Sequence, residues 1–222
     1  MLRVLSCPSL KILILDGLGW HLAQMPLILE FLKRSGCALE SLSLLKASLL
    51  ASDITSLCNS PSMQTVYHVH IEQNYELVYS PGVLLGHLGE FITIDGWKEP
   101  RYFPSLRSLV FTEGAGRRTH LTFWKHWRLM PDILGSPIEN SYSMQRHRHL
   151  LESVVICFCY TSHTDPYAKE PMDQHTLKRI SWIKQAGVNW SMKRRFGTVE
   201  WDWDGTGLKS VAASQSIENS TY

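Results

Sequence analysis

The chain has 222 residues, of which 44% are hydrophobic and 19% are charged, and its formal net charge is +2. This composition is typical of an ordered globular protein and excludes general disorder, and so small a charge gives no reason to expect nucleic acid or a membrane as a partner. No run of about 18 apolar residues predicts a membrane span, and the first ten residues do not form a secretory signal. We therefore expect a cytoplasmic or nuclear protein.

A recurring L-x-x-L-x-L pattern is the main structural signal in the chain. It occurs at residues 10–15, 39–44 and 106–111, with looser copies at 63–66 and 151–156. A short strand that points its leucines into one core, repeated after a helical stretch, is typical of leucine-rich repeats. The pattern predicts an α/β fold, namely a leucine-rich-repeat solenoid arc with a parallel concave sheet and short convex helices.

The first two repeat units follow the expected order of strand, helix and strand. Residues 10–15 form the first strand, residues 22–33 have helical spacing, and Gly36 is a C-terminal stop. The second strand begins at Leu39, and a short helix capped by Ser52 or Asp53 follows it. One unit of strand and helix fits the 29-residue step from Leu10 to Leu39.

The third strand is predicted at residues 63–69, because Ser60-Pro61-Ser62-Met63 repeats an x-Pro-Ser-apolar entry that also stands at 7–10 and 103–106. Proline in this position favours an extended turn before a strand. Residues 88–93, followed by Asp95-Gly96, supply a degenerate copy of the pattern, and whether they form an additional repeat is left open.

The leucine pattern ends after Phe111, and an irregular insertion is expected at about residues 112–148. The pattern resumes with a strand at 151–159, a helix at 172–185 and a final strand that begins at Val188. Alternating apolar residues at 199–203 are expected to cap the stack, and residues 210–222 to be a frayed or disordered tail. The sequence thus predicts a single leucine-rich-repeat domain over residues 1–209.

Three segments together resemble the repeat region of fungal, basidiomycete-type F-box/leucine-rich-repeat proteins: FLKRSGCALESLSL (31–44), YFPSLRSLVF (102–111) and HTLKRISWIKQAGVNWSM (175–192). The resemblance covers roughly residues 5–192. It implies substrate recognition for ubiquitin ligation. The L-P-x-E/D core of an F-box does not occur before the first repeat, so a cullin-linked adaptor is expected as a partner only if an F-box lies upstream.

The candidate chemistry of the chain is sparse. His68 and His70 would lie on one face of a strand with Glu72 nearby, which leaves a histidine-based metal-dependent enzyme as an alternative. On a repeat strand, such positions more commonly line the exposed concave face. Five cysteines without a C-x-x-C pair predict reduced thiols. We expect a protein-binding chain that is not an enzyme and has no cofactor or metal, and a repeat scaffold without a ubiquitin role is the second alternative.

The partner site is predicted on the concave face, where residues that alternate with the leucines should form an exposed and largely apolar column. Tyr67 is the expected anchor, because it combines a large contact area with a polar tip. The insertions at 71–87 and 112–148 could instead cover this face. The predicted column consists of Ile14, Asp16, Ser43, Leu45, Tyr67, Val69, Val110, Thr112 and Val155, with Cys157 at its end.

Overall fold

The computed structural model describes residues 5–17, 25–73, 81–113, 151–160, 174–185, 187–196, 199–203 and 208–210. Labels count the elements of these ranges in chain order. The strands are β1 (Ile12–Asp16), β2 (Ser41–Ala47), β3 (His68–Gln73), β4 (Phe91–Ile94), β5 (Trp97–Pro100), β6 (Ser108–Glu113), β7 (Ser153–Tyr160), β8 (Asn189–Phe196), β9 (Val199–Trp203) and β10 (Leu208–Ser210). The helices are α1 (Met25–Ser35), α2 (Ala51–Cys58), α3 (Pro81–Leu88) and α4 (Gln174–Gln185).

The predicted α/β fold class is confirmed by a sheet in which six strands run parallel, in the order β1-β2-β3-β6-β7-β8. Strands β9 and β10 extend the sheet beyond β8 with antiparallel pairing. Strands β4 and β5 form a separate antiparallel hairpin. No helix in the described ranges is long and apolar enough to cross a membrane.

The six parallel strands share two rows of inward-pointing side chains. The first row is Leu13, Leu42, Val69, Leu109, Val154 and Trp190, and the second, from β1 to β7, is Leu15, Leu44, Ile71, Phe111 and Ile156. From β2 to β7 these residues are at most 3% exposed, whereas Leu13 and Leu15 are partly buried because β1 pairs only with β2 in the described sheet. The predicted inward positions of Leu13, Leu42, Leu109 and Val154 are therefore confirmed.

The four helices contribute to the same core as these inward rows. Ile28 and Leu32 of α1, Ile54 and Leu57 of α2, Leu84 and Leu88 of α3, and Ile180 and Ile183 of α4 all belong to one buried cluster with the strand residues. The helices therefore pack on the face of the sheet that carries the leucines.

The first predicted helix ends where the sequence indicates. Helix α1 extends to Ser35, and Gly36 follows in the left-handed conformation with φ +55°. The N–H of Gly36 donates to the carbonyl oxygen of Leu32 at 3.1 Å, which closes the last turn. Helix α2 begins at Ala51, so its N-cap is Leu50, and the predicted caps Ser52 and Asp53 both lie inside the first turn. Asp53 still contributes to the cap, because its Oδ2 accepts the N–H of Leu50 at 2.9 Å.

The predicted strand at residues 63–69 is wrong. Pro61–Met63 is a 3-10 turn, and β3 begins only at His68. The three x-Pro-Ser-apolar entries do form one kind of turn, with 3.0 Å hydrogen bonds from Leu10 to Cys7, Met63 to Ser60 and Leu106 to Phe103. The strand starts two residues after Leu10 and Leu106 but five after Met63. The third copy of the repeat is therefore Val66-x-x-Val69-x-Ile71.

Residues 88–93 do not add a repeat to the parallel sheet. Leu88 ends α3, and β4 pairs with β5 around Asp95 and Gly96, whose φ angles are +50° and +84°. Two successive positive φ angles at an Asp-Gly pair are typical of a two-residue hairpin turn. The local turn chemistry thus overrides the leucine spacing.

Only some of the predictions for the C-terminal half fall on described residues. The predicted helix at 172–185 is observed as Gln174–Gln185, and the strand after it runs parallel to β7. Strand β6 continues to Glu113, so residues 112 and 113 belong to the sheet and not to the insertion. Ser210 ends β10, and residues 114–150 and 211–222 lie outside the described residues.

Leu42→Ala is expected to lower the free energy of unfolding by about 2–5 kcal/mol, because it leaves a cavity in a fully buried position. Ile14→Ala removes a similar aliphatic side chain from the neighbouring strand, where 60% of it is exposed, and should change stability by about 0.5 kcal/mol or less. Urea unfolding followed by circular dichroism measures both. Equal losses for the two variants would contradict the observed orientation of β1 and β2.

Replacing two glycines by alanine tests their backbone conformations, because the two changes are expected to alter stability in opposite directions. An added Cβ meets no atom within 4 Å at either Gly36 or Gly86, so packing does not decide the outcome. Gly36→Ala should destabilise the protein by about 1 kcal/mol, because φ is +55° there. Gly86→Ala, inside α3, should stabilise it by about 0.5–1 kcal/mol. The same sign for both changes in thermal unfolding would refute this assignment.

Candidate recognition surface

Side chains that alternate with the inward rows form the opposite side of the sheet, which we call the open face. Its central row is Ile14, Ser43, His70, Val110, Val155 and Ser191, one residue from each parallel strand. The row before it is Ile12, Ser41, His68, Ser108, Ser153 and Asn189. Since successive residues of a strand point to opposite faces, burying the leucines turns these residues outward.

Most of the predicted site residues lie on the open face. Ile14, Ser43, Val110 and Val155 are in its central row, although Ser43 is buried there. Asp16 lies opposite Leu45, and Thr112 pairs with Glu72 in the row that follows. Beyond Leu44 the pairing of β2 with β3 shifts register, and Lys46 has φ +52°, so the rows are irregular at this end.

Three positions predicted to be exposed are buried, and one of them is Ser43, which is 9% exposed. Val69 is 1% exposed and belongs to the inward row, because the true repeat begins at Val66 and not at Met63. Tyr67 is exposed, as predicted, at 42%, but it precedes β3 and therefore lies outside the strand rows. Cys157 pairs with Thr112 and Lys193, yet only 5% of it is exposed.

The predicted continuous apolar column does not exist. Ser43 and His70 separate Ile14 from Val110, so only Val110 and Val155 are apolar neighbours in the central row. The remaining positions of the two outward rows from β2 to β8 carry serine, histidine or asparagine. The open face is therefore mainly a surface of small polar side chains, with aliphatic residues at β1 and at β6–β7.

The centre of this face is formed by His68 and His70, which are both half-buried. Their placement agrees with the expectation that the histidine pair lines the outward face. Burial lowers the pKa of His70, the neighbouring His68 lowers it further, and Glu72 partly opposes the shift. His70 is thus a neutral imidazole at pH 7 and can both donate and accept a hydrogen bond.

A second line of side chains lies just before the strands, and we call it the edge row: Lys11, Glu40, Tyr67, Arg107 and Glu152. Backbone hydrogen bonds connect its members in sequence. The N–H groups of Glu40, Tyr67, Arg107 and Glu152 donate to the carbonyl oxygens of Lys11, Glu40, Tyr67 and Arg107 at 2.8, 3.0, 2.8 and 2.7 Å. Residues far apart in the chain are thereby held side by side.

The side chains of the edge row also interact with one another. Lys11 Nζ lies 2.6 Å from Glu40 Oε1, the hydroxyl of Tyr67 donates to Glu40 Oε2 at 3.3 Å, and Arg107 Nη1 lies 3.3 Å from Glu152 Oε1. Exposed ion pairs of this kind contribute little to stability. The hydrogen bond from Lys11 lowers the pKa of Glu40, and the same bond raises the pKa of Lys11. Sequence reasoning identified only Tyr67 in this row.

Beside the edge row lies a cleft of about 410 Å³, which we call the edge cleft. It opens at the entries to β2, β3 and β6. Its lining residues are Ala38, Glu40, Thr65, Tyr67, Ser105 and Arg107. Three polar side chains of the edge row therefore border a concave surface large enough for a side chain of a partner.

Comparisons with models of protein families, with curated proteins and with solved structures find no match to this chain. The open face and the edge row are therefore the features of the described residues that bear on function.

Glu40 provides a pH test of the edge row. The pKa of the Glu40 carboxyl is lower in the folded protein than in the unfolded chain. Ionised Glu40 therefore stabilises the folded state at pH values above its unfolded pKa, and this stabilisation is lost as the pH falls through its folded pKa. Carboxyl NMR titration should give a pKa below that of an ordinary glutamate, and Lys11→Met should raise it. Lys33→Met, which removes an exposed lysine on α1, is the control. An unchanged Glu40 pKa in Lys11→Met would contradict the ion pair.

Proposed function

We propose that residues 1–209 form a leucine-rich-repeat solenoid domain that recognises another protein through the open face of its sheet. The observation that carries this proposal is the register of six parallel strands, which aligns outward side chains in continuous rows. None of the helices in the described ranges belongs to this face, because their buried residues join the core on the other side.

The size of the open face is compatible with protein recognition. Six strands about 4.8 Å apart span about 24 Å. Three outward rows on six strands, together with the edge row, present about 20 residues, which approaches the number that one partner contributes to a standard interface. Such a surface is suited to a folded partner or an extended segment rather than to a small substrate.

The chemistry of this face favours a polar partner. Serines, Asn189 and a half-buried neutral His70 offer donors and acceptors at regular spacing. Tyr67 is the proposed anchor residue of the edge row, because it is 42% exposed and its hydroxyl is hydrogen-bonded to Glu40. An interface of this kind depends on matched hydrogen bonds around a few anchors.

The finer proposal is that the bound protein is a substrate for ubiquitin ligation, and it is supported only by the resemblance to F-box/leucine-rich-repeat proteins. A repeat scaffold without a ubiquitin role would use the same face. A metal-dependent enzyme at His68 and His70 lacks comparable support, because no group of three His, Cys, Asp or Glu side chains in the described part of the chain could hold a metal ion. Because the adaptor is expected to bind only through an F-box, an in-frame F-box encoded upstream of Met1 would distinguish the ligase role from the scaffold role.

Site-specific photo-crosslinking tests the recognition face. A benzoylphenylalanine at Ser41 or Ser108, on the open face, should capture the same partner protein from both positions. The same group at Lys33 or Ser56, exposed positions on the helices, should capture none of it. Capture from the helix positions alone would refute the proposed face.

Tyr67→Ala should weaken binding of the captured partner by about tenfold or more, as expected for an interface anchor. Ile92→Ala is the matched control, because Ile92 is 40% exposed on the β4–β5 hairpin, which belongs to a separate sheet. Equal effects of the two changes would remove Tyr67 from the interface.

A further inference from the structure

Two hydroxyl groups that line the edge cleft already donate their protons to backbone carbonyl oxygens. Thr65 Oγ1 donates to the carbonyl oxygen of Leu39 at 2.7 Å, and Ser105 Oγ donates to that of Gln64 at 2.8 Å. Each hydroxyl has a single proton, so both oxygens retain only acceptor capacity for a ligand. In the segments before β3 and β6, the hydroxyl groups of Thr65 and Ser105, which could otherwise donate or accept, are therefore available to a ligand only as acceptors.

The acidic side of the cleft adds further acceptors. Glu40 is ionised at neutral pH, as a glutamate of ordinary pKa would be, and the hydrogen bond from Lys11 lowers its pKa further. Its carboxylate supplies two oxygen acceptors. Tyr67 uses its hydroxyl proton on Glu40 Oε2, which leaves its oxygen as an acceptor and its ring exposed. Four of the six lining residues therefore present oxygen acceptors.

Arg107 is the one cationic residue among those that line the cleft. Its guanidinium pairs with Glu152 at 3.3 Å, outside the lining set. Lys11 likewise pairs with Glu40 and does not line the cleft. The formal charges of these four residues cancel, so the excess of acceptors and the exposed aromatic ring decide which ligand fits.

We propose that the edge cleft binds a cationic side chain of the partner protein, with arginine preferred. A guanidinium carries five N–H donors in a plane, which suits several oxygen acceptors around one ring. Its cation also interacts favourably with the face of a tyrosine. Ala38 contributes only a methyl group to the lining, which leaves room for the planar group. This inference rests on the proposed protein-recognition function, since it supplies one specificity element of that surface.

Three short peptides test the cleft on the full chain: acetyl-Gly-Arg-Gly-amide, its neutral citrulline isostere and the glutamate counterpart. Two-dimensional amide NMR should show saturable shifts at Ala38, Thr65 and Ser105 with the arginine peptide. The citrulline peptide should bind about tenfold more weakly, because it loses the charge-assisted hydrogen bonds. The glutamate peptide should produce no saturable shift at these amides.

Two variants assign the binding to named residues. Glu40→Gln and Tyr67→Leu should each weaken binding of the arginine peptide by about fivefold or more, because one removes the anion and the other the ring. Glu30→Gln is the matched control, since Glu30 is an exposed, ion-paired glutamate on α1. It should bind the peptide as the unchanged chain does.

Several outcomes would overturn the inference. Equal binding of the arginine and citrulline peptides would exclude recognition of the charge, and stronger binding of the glutamate peptide would assign the site to an anion at Arg107. No saturable shift with any peptide would remove the site altogether. Because these measurements use the unchanged chain, they do not depend on the folding of a variant. If crosslinking from Ser108 still captures the partner in that case, the proposed recognition face is retained and only the proposed arginine site in the edge cleft is rejected.

Discussion

The alignment of inward side chains across six parallel strands is the constraint on which the rest of the structure depends. Leu42, Val69, Leu109 and Val154 lie opposite one another and are at most 2% exposed, so a slip of one residue in any strand would expose its core side chains. The same alternation decides the outward rows. The open face is therefore a consequence of core packing, and its residues are positioned by the leucines behind them.

The edge row follows from this stacking. Once the strands are in register, the residue before each strand accepts and donates backbone hydrogen bonds to its neighbours, as Tyr67 does between Glu40 and Arg107. Side chains separated by 27–45 residues in sequence then form contacts, such as Tyr67 with Glu40 and Arg107 with Glu152. These contacts are exposed and contribute little to folding. Their regular arrangement is available for recognition without a cost to the core.

The composition of the open face bears on the kind of binding it can support. A continuous aliphatic column would have been a site of strong but unselective association. Ser43 and His70 interrupt that column, and serine fills half of the remaining positions of the two outward rows from β2 to β8. Selectivity then depends on hydrogen-bond matching and on a few anchors such as Tyr67.

The sequence by itself determined the elements whose signals are local: the inward leucines at 39–44 and 106–111, the stop of α1 at Gly36 and the helix before Gly187. It could not determine where β3 begins, because the same Pro-Ser turn precedes a strand by two residues at Leu10 and by five at Met63. Pairing with β2 decides that register, and with it the places of Val69 and His70. The edge cleft likewise joins residues from Ala38 to Arg107, which only the stacked strands bring together.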